Sequence, residues 1–184
     1  LLDLVGTQEQ VVCLPVRGEA LLEVLVAASK YRPEQGYPVT LAGAIVVANA
    51  EALSGLVIQQ LRTKGSPAIT GFSATPMDLR TGTTVYASPD ERLTHSACCD
   101  LYHYYGLPVW GEAGCSDAGS LDEQAALESM ASIMMAMLDG CNLVHDVGYL
   151  GQGLIGSAAS IVMCSEIISY VKHGQIEHRD SMGN

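Results

Sequence analysis

Three short apolar runs recur along the chain. A polar loop follows each, and then a helical pattern. The runs begin near Ala68, Leu107 and Asn142, at intervals of ~35–40 residues, the length of a βαβ unit. Such units predict parallel strands joined by right-handed crossovers. The runs are apolar throughout, as strands buried on both faces are. The glycine-bearing loop follows the strand in every unit, never the helix. That order suits a (β/α)8 TIM barrel, whose site is built from the loops after the strands. A full barrel takes ~250 residues and the chain has 184. The expected fold class is therefore α/β, with residues 1–184 forming one domain that supplies only part of the barrel. A doubly wound open sheet is the alternative. The first residue is Leu1, not Met, and a piece of a longer protein is expected.

Between these runs the helices announce their ends. Thr40 stands as a cap before the face Leu41, Ile45, Ala48, Ala52 and Leu56, with Gly65 as the residue past the end near Lys64. Ser88-Pro89-Asp90-Glu91 reads as a capping box with proline at the first helical position. That helix is expected to stop at Gly106. Ser120 and Glu123 read as a second capping box. A last helix is expected over about 157–173, ending at Gly174. Nearer the amino terminus, Gln10 to Leu14 reads as a strand and Glu19 to Lys30 as a helix.

Composition narrows the partners. There are 20 acids against 9 bases, for a net charge of −11. Nucleic acid is not expected, since its grooves need clustered Lys and Arg. None of the six cysteines forms C-x-x-C, so a reducing, cytoplasmic setting is expected. The longest apolar stretch, Leu41 to Leu61, is interrupted by Asn49, Glu51, Ser54 and Gln59, and no membrane span is expected.

The densest chemistry lies just past the run at Leu107. Trp110 is followed by Glu112, Cys115, Ser116 and Asp117, spaced by Gly111, Gly114 and Gly119. Tyr86, Trp110 and Tyr149 each fall at a strand end or in its exit loop. In a parallel barrel these points converge. Aromatic faces beside acids suit a quaternary ammonium ion, through cation–π attraction and charge. The plainer reading is that these rings plug the barrel, and it stands equally open. Asp78, His145 and Tyr149 join the same expected pocket from the exit loops. Cys115 and His145 could together serve a zinc ion, but their spacing matches no metal motif, and no metal is expected. Cys98 and Cys99 read as packing residues. Gly151-Gln152-Gly153-Leu154-Ile155-Gly156 matches G-x-G-x-x-G. Its first glycine lies well past the strand, so a flexible loop is the better reading than a dinucleotide fingerprint.

Several stretches in series resemble the trimethylamine methyltransferase family, which has pyrrolysine-containing members and pyrrolysine-free relatives acting on quaternary amines such as glycine betaine. They are PVTLAGAIVVANAEALSGLVIQQL (Pro38 to Leu61), PMDLRTG (Pro76 to Gly82) and HYYGLPVWGEAGCSDA (His103 to Ala118), followed by LDEQAALESM, NLVHDVGYLGQGL and SEIISYVK. The chain shows no pyrrolysine, and Gly119 stands where the family pattern has a lysine. The resemblance implies a (β/α)8 barrel. It also implies transfer of a methyl group from a methylated amine to the cobalt of a corrinoid carried by a separate protein, a reaction of methanogenesis. No cofactor bound directly by this chain is implied, and a homo-oligomer is expected. On this reading Trp110, Tyr86 and Tyr149 form the cage, and Glu112 or Asp117, the acids expected to act in catalysis, face the positive nitrogen. Arg80 or the amides of Gly151 to Gly153 would hold a substrate carboxylate. Two other readings remain: a zinc-assisted barrel enzyme, and a truncated relative that binds amines without catalysis.

Overall fold

A computed structural model of the chain describes residues 40–71 and 73–181, with side chains as far as residue 174. The strand expected at Gln10–Leu14, the helix at Glu19–Lys30, and Phe72 lie outside the described residues. Ten elements follow in order: α1 (Leu41–Arg62), β1 (Met77–Asp78), β2 (Thr83–Thr84), α2 (Pro89–Tyr104), β3 (Trp110–Glu112), α3 (Glu123–Leu138), β4 (Leu143–His145), β5 (Tyr149–Leu150), β6 (Ile155–Gly156) and α4 (Ala158–Ser181).

The expected parallel order is present. β3 and β4 pair in parallel, with Trp110 opposite Leu143 and Glu112 opposite His145. Thr70 makes a parallel bridge to Val109 on the other side. The segments near Ala68, Leu107 and Asn142 are therefore adjacent and parallel in that order, with α2 and α3 as the connections. Thr70 donates to the Pro108 carbonyl at 3.2 Å, and Trp110 donates to the Thr70 carbonyl at 2.8 Å. Gly71 lies so close that a Cβ there would meet the Trp110 carbonyl at 1.9 Å, and no other residue fits. The fold shown is mixed α/β with small sheets.

The long exit loops hold more structure than the sequence suggested. β1 and β2 form an antiparallel hairpin inside the loop after Thr70. β5 and β6 form another inside the loop after β4. Within the G-x-G-x-x-G stretch, residues 151–154 are the turn of that second hairpin and Ile155–Gly156 its second strand. Gly151, Gln152 and Gly153 all have positive φ, at 57°, 60° and 79°. It is a reversal of the chain, not a strand-to-helix cradle.

Two helix boundaries differ from expectation. α3 is capped by Asp122, whose carboxylate accepts from the Ala125 amide at 3.0 Å, and Ser120 instead donates to Asp122 at 3.2 Å. A carboxylate is the better acceptor at a helix N-terminus, where the dipole favours negative charge. α4 runs through Gly174 to Ser181, since one glycine costs a long helix only ~1 kcal/mol. Thr40 and Ser88 cap as expected, accepting from the amides of Gly43 and Glu91, both at 3.2 Å. α1 ends at Arg62, and Gly65 takes a φ of 81°.

The helices pack in sequence, α1 on α2, α2 on α3 and α3 on α4. The core is built from small side chains: Ala48, Ala52, Cys98, Cys99, Ala113, Ala136, Cys141 and Cys164, around Tyr102, Val109 and Ile133. α1 is long and apolar enough to cross a membrane, with a mean hydropathy of 1.9 over its best window. That is weak evidence for a span. Asn49 in mid-helix donates to the Tyr105 hydroxyl at 3.2 Å, tying the helix to the end of α2.

Candidate functional site

The site is assembled where β3 and β4 end. Past Glu112 the two chains keep running side by side. Ala113 donates to the His145 carbonyl at 3.2 Å, Gly148 to Gly114 at 3.0 Å, Ser116 to Tyr149 at 3.0 Å and Gly151 to Ala118 at 2.8 Å. The polar loop after β3 is thus zipped to the loop after β4. Its underside is held by α3: Ser132 accepts from the Gly114 amide at 3.0 Å, and Glu128 receives the Ser116 hydroxyl at 2.5 Å and the Asp117 amide at 2.9 Å.

Asp117 ties in the first exit loop. Its two oxygens accept from the amides of Tyr86 at 3.1 Å and Ala87 at 3.0 Å. Burial raises its pKa against the pull of those amides. The fork fixes the backbone at Tyr86 and Ala87. Burial first, and then the charges of Glu112 and Asp146, push the Tyr86 phenol up, with smaller contributions from Cys115 and Asp117. All four groups therefore lie within electrostatic reach of one ring. The same ring would be 3.5 Å from a Cβ at Gly153, so the second hairpin lies against it.

Glu112 stands at the strand end and is mostly buried. Desolvation raises its carboxyl, Arg92 lowers it, Asp146 raises it and His145 lowers it. Arg92, on α2 and almost fully buried, is the hub. It donates to the Glu112 carbonyl at 2.6 Å, to the Tyr86 carbonyl at 3.0 Å and to the Glu112 carboxylate at 3.3 Å. It also pairs with the fully buried Glu91. Burial pushes Glu91 up to about 8. One guanidinium thus lies between two carboxyls. The Cys115 thiol faces Glu112 at 3.5 Å, and burial, then Glu112, drive it upward, far from a thiolate.

The remaining expected residues divide. Trp110 is 42% exposed and stands edge-on to His145, ring centroids 4.9 Å apart. His145 is held by Asp146, Nδ1 to Oδ1 at 2.8 Å. Tyr149 is 44% exposed, and among the described residues neither it nor Tyr86 pairs with another ring. Asp78 has local partners: its carboxylate accepts from the Arg80 amide at 2.8 Å within the first hairpin, and that bond chiefly lowers its pKa. Among the described residues Cys115, His145, Glu112 and Asp117 do not form a compact set of metal-ligand atoms. A groove of about 530 Å³ lies elsewhere, between α3 and α4, lined by Met130, Glu166, Ile167 and Tyr170.

Glu91, Arg92 and Asp146 escaped the sequence reading. In the sequence Glu91 reads only as the acid of a capping box, and Arg92 is not singled out. The signal was available in Asp146, an acid directly after a strand-end histidine.

Against known proteins, the family model described as trimethylamine methyltransferase (MTTB) matches residues 36–176. A trimethylamine methyltransferase of Methanosarcina thermophila is 39% identical over 135 residues, which is 73% of this chain and 28% of that protein. A glycine betaine methyltransferase of Desulfitobacterium hafniense is 34% identical over 156 residues, covering 84% of this chain and 32% of that protein. A trimethylamine methyltransferase from the same species is 34% identical over 134 residues, 73% of this chain and 27% of its own length. The chain spans about a third or less of the curated relatives it matches. With most of its length covered by the family model and its chemistry gathered where parallel strands end, the chain belongs to the trimethylamine methyltransferase family.

Proposed function

We propose that this chain is part of a methyltransferase that takes a methyl group from a quaternary or tertiary amine and passes it to the cobalt of a corrinoid on a separate protein. The rest of a cytoplasmic (β/α)8 barrel, and a homo-oligomer around it, belong to the same reading. The observation that carries it is the surplus of acid at the strand ends. Glu112, Asp117 and Asp146 all act on the Tyr86 ring, Arg92 is the buried cation paired with Glu112, and Trp110 stands on the same strand as Glu112. Such a site favours a bound cation with apolar substituents.

The corrinoid supplies the nucleophile that accepts the methyl. The residues of this chain bind and orient the amine. In a quaternary substrate the N–CH3 bond breaks with its electron pair left on nitrogen, so the leaving amine is neutral and needs no proton. The positive charge therefore fades from nitrogen along the reaction. A bare carboxylate against that nitrogen would stabilise the ground state more than the transition state. Glu112, with Arg92 at 3.3 Å, is a moderated partner: negative enough to attract the cation, compensated enough to release its neutral product. Asp117, tied to two backbone amides, positions Tyr86. The orientation of the methyl toward the partner is then set mainly by ring faces, as in any reaction governed by alignment.

Calorimetry on the full-length protein tests this. Glycine betaine should bind, and its neutral carbon isostere should bind much more weakly. Trp110→Ala should weaken amine binding by ~1–2 kcal/mol, the scale of a desolvated cation–π contact. If no quaternary or tertiary amine binds, or if Trp110→Ala binds like the parent, the cage is wrong.

A further inference from the structure

Beneath the strand ends is a second cluster, which the amine chemistry does not use. His95 and Cys99 sit one turn apart on α2, and Cys141 lies just past α3. All three are buried, at 3%, 1% and 0% exposure. Their ligand atoms lie within 4.8 Å of one another. We propose that His95, Cys99 and Cys141 bind a zinc ion that locks α2 to the α3–β4 connection.

The Cys99–Cys141 separation is close to a tetrahedral zinc edge, and those to the ring nitrogens are slightly longer than one. With Zn–S near 2.3 Å and Zn–N near 2.0–2.1 Å, a tetrahedron has S···S edges of about 3.8 Å and S···N edges of about 3.6 Å. Here Cys99 Sγ is 3.6 Å from Cys141 Sγ, and 3.7 and 4.0 Å from His95 Nδ1 and Nε2. Two packed thiols alone would also touch at such a distance, so the histidine decides the matter. Its described polar neighbours are this thiol and the Asp139 carboxylate, 3.8 Å from Nδ1. The thiol lies within reach of the ring for a sulfur hydrogen bond, and the carboxylate stands further off. A metal ion would replace that weak S···N contact with bonds from both sulfurs and one ring nitrogen.

The surroundings assign the two nitrogens. Ser96 donates to Asp139 Oδ2 at 2.7 Å, holding the carboxylate beside Nδ1. A carboxylate on one ring nitrogen and metal on the other is the usual order around zinc histidines. A small ring rotation would close the 3.8 Å between Nδ1 and Asp139 and leave Nε2 as the ligand atom. Gly111 leaves it the room: a Cβ there would lie 2.7 Å from Cys141 Sγ and 2.9 Å from His95 Nε2. Both ligand atoms therefore face the space that the glycine leaves free. Two thiolates and an imidazole select a soft cation over magnesium or calcium. Cys115 and His145 of the strand-end loops take no part, so the site is independent of the amine reading.

The test is metal uptake by the full-length protein, purified under reducing conditions and stripped with chelator. Titration with Zn²⁺ should reach about one equivalent per chain at this site. Co²⁺ should give a thiolate-to-cobalt charge-transfer band. Peptide mapping after alkylation should show Cys99 and Cys141 protected by zinc, with Cys98 and Cys115 unaffected. Cys99→Ser and Cys141→Ser should lose the band, and Cys98→Ser should keep it. Asp139→Asn should weaken zinc binding by about tenfold, the effect of losing an orienting carboxylate. Should the serine variants fail to fold, the alkylation map of the parent protein decides alone. The proposal is overturned if zinc leaves Cys99 and Cys141 unprotected or if the cobalt band survives in Cys99→Ser. A Cys99–Cys141 disulfide whose reduction restores no zinc uptake would overturn it equally.

Discussion

Replacing Glu91 with Gln should remove a pH dependence of stability that the parent protein shows from about pH 4.5 to about pH 8. Glu91 is fully buried in the first turn of α2, pressed against Arg92. Burial pushes its carboxyl up from the ordinary 4.5 to about 8, against the pull of Arg92 and with help from Glu112. The folded chain therefore holds a proton that the unfolded chain releases. That contribution is complete below about pH 4.5 and is lost as the pH rises through 8. The slope is ~1.4 kcal/mol per pH unit inside the window. Across the window from 4.5 to about 8 this amounts to on the order of 5 kcal/mol, with the opposing pull of Arg92 already contained in the raised value. Glutamine keeps the shape and cannot titrate. Urea unfolding of the full-length parent and of Glu91→Gln between pH 5 and pH 9 measures the difference, in which groups common to both cancel. The parent should lose its advantage steadily up to pH 8, and the difference should level off by pH 9. Parallel stability curves from pH 5 to pH 8 would mean that Glu91 is ionised throughout, and the account of one cation between two carboxyls would fail.

Other expectations follow from single contacts. Asp122→Ala should cost ~1 kcal/mol in thermal unfolding and Ser120→Ala much less, since the carboxylate of Asp122 caps α3. The reverse order would move the helix start. Gly111→Ala should destabilise by ~1–3 kcal/mol, because its Cβ would press on Cys141 and His95; a neutral result by denaturant titration would mean the strand moves away freely. Asp117→Ala removes both acceptors of the Tyr86 and Ala87 amides, so hydrogen exchange at these two amides should accelerate, while unchanged protection would mean another group holds the loop.

How much of this was legible beforehand can be seen element by element. The spacing of the apolar runs predicted three parallel neighbours in chain order, and Thr70, Val109–Trp110 and Leu143 pair in that way. Local rules sufficed there, because a strand period and a capping hydroxyl act over a few residues. Thr40 and Ser88 behaved as the same rules require. Ser120 did not, since two acceptors two residues apart competed and local sequence does not rank them. The hairpins within the exit loops were missed: two-residue strands are too short to show an alternation.

Where the chemistry lies could be read from chain order. Glu112, Cys115 and Asp117 follow an apolar run, and that order alone puts them at a strand end. It also carried the family, through stretches that agree in series. Which charges meet was settled by packing. Arg92 touches Glu112 across 20 positions and Asp117 reaches Tyr86 across 31. His95 and Cys99 meet Cys141 because two helices pack beneath β3. Electrostatics and metal geometry depend on separations of a few ångströms in space, and the sequence records only separation along the chain.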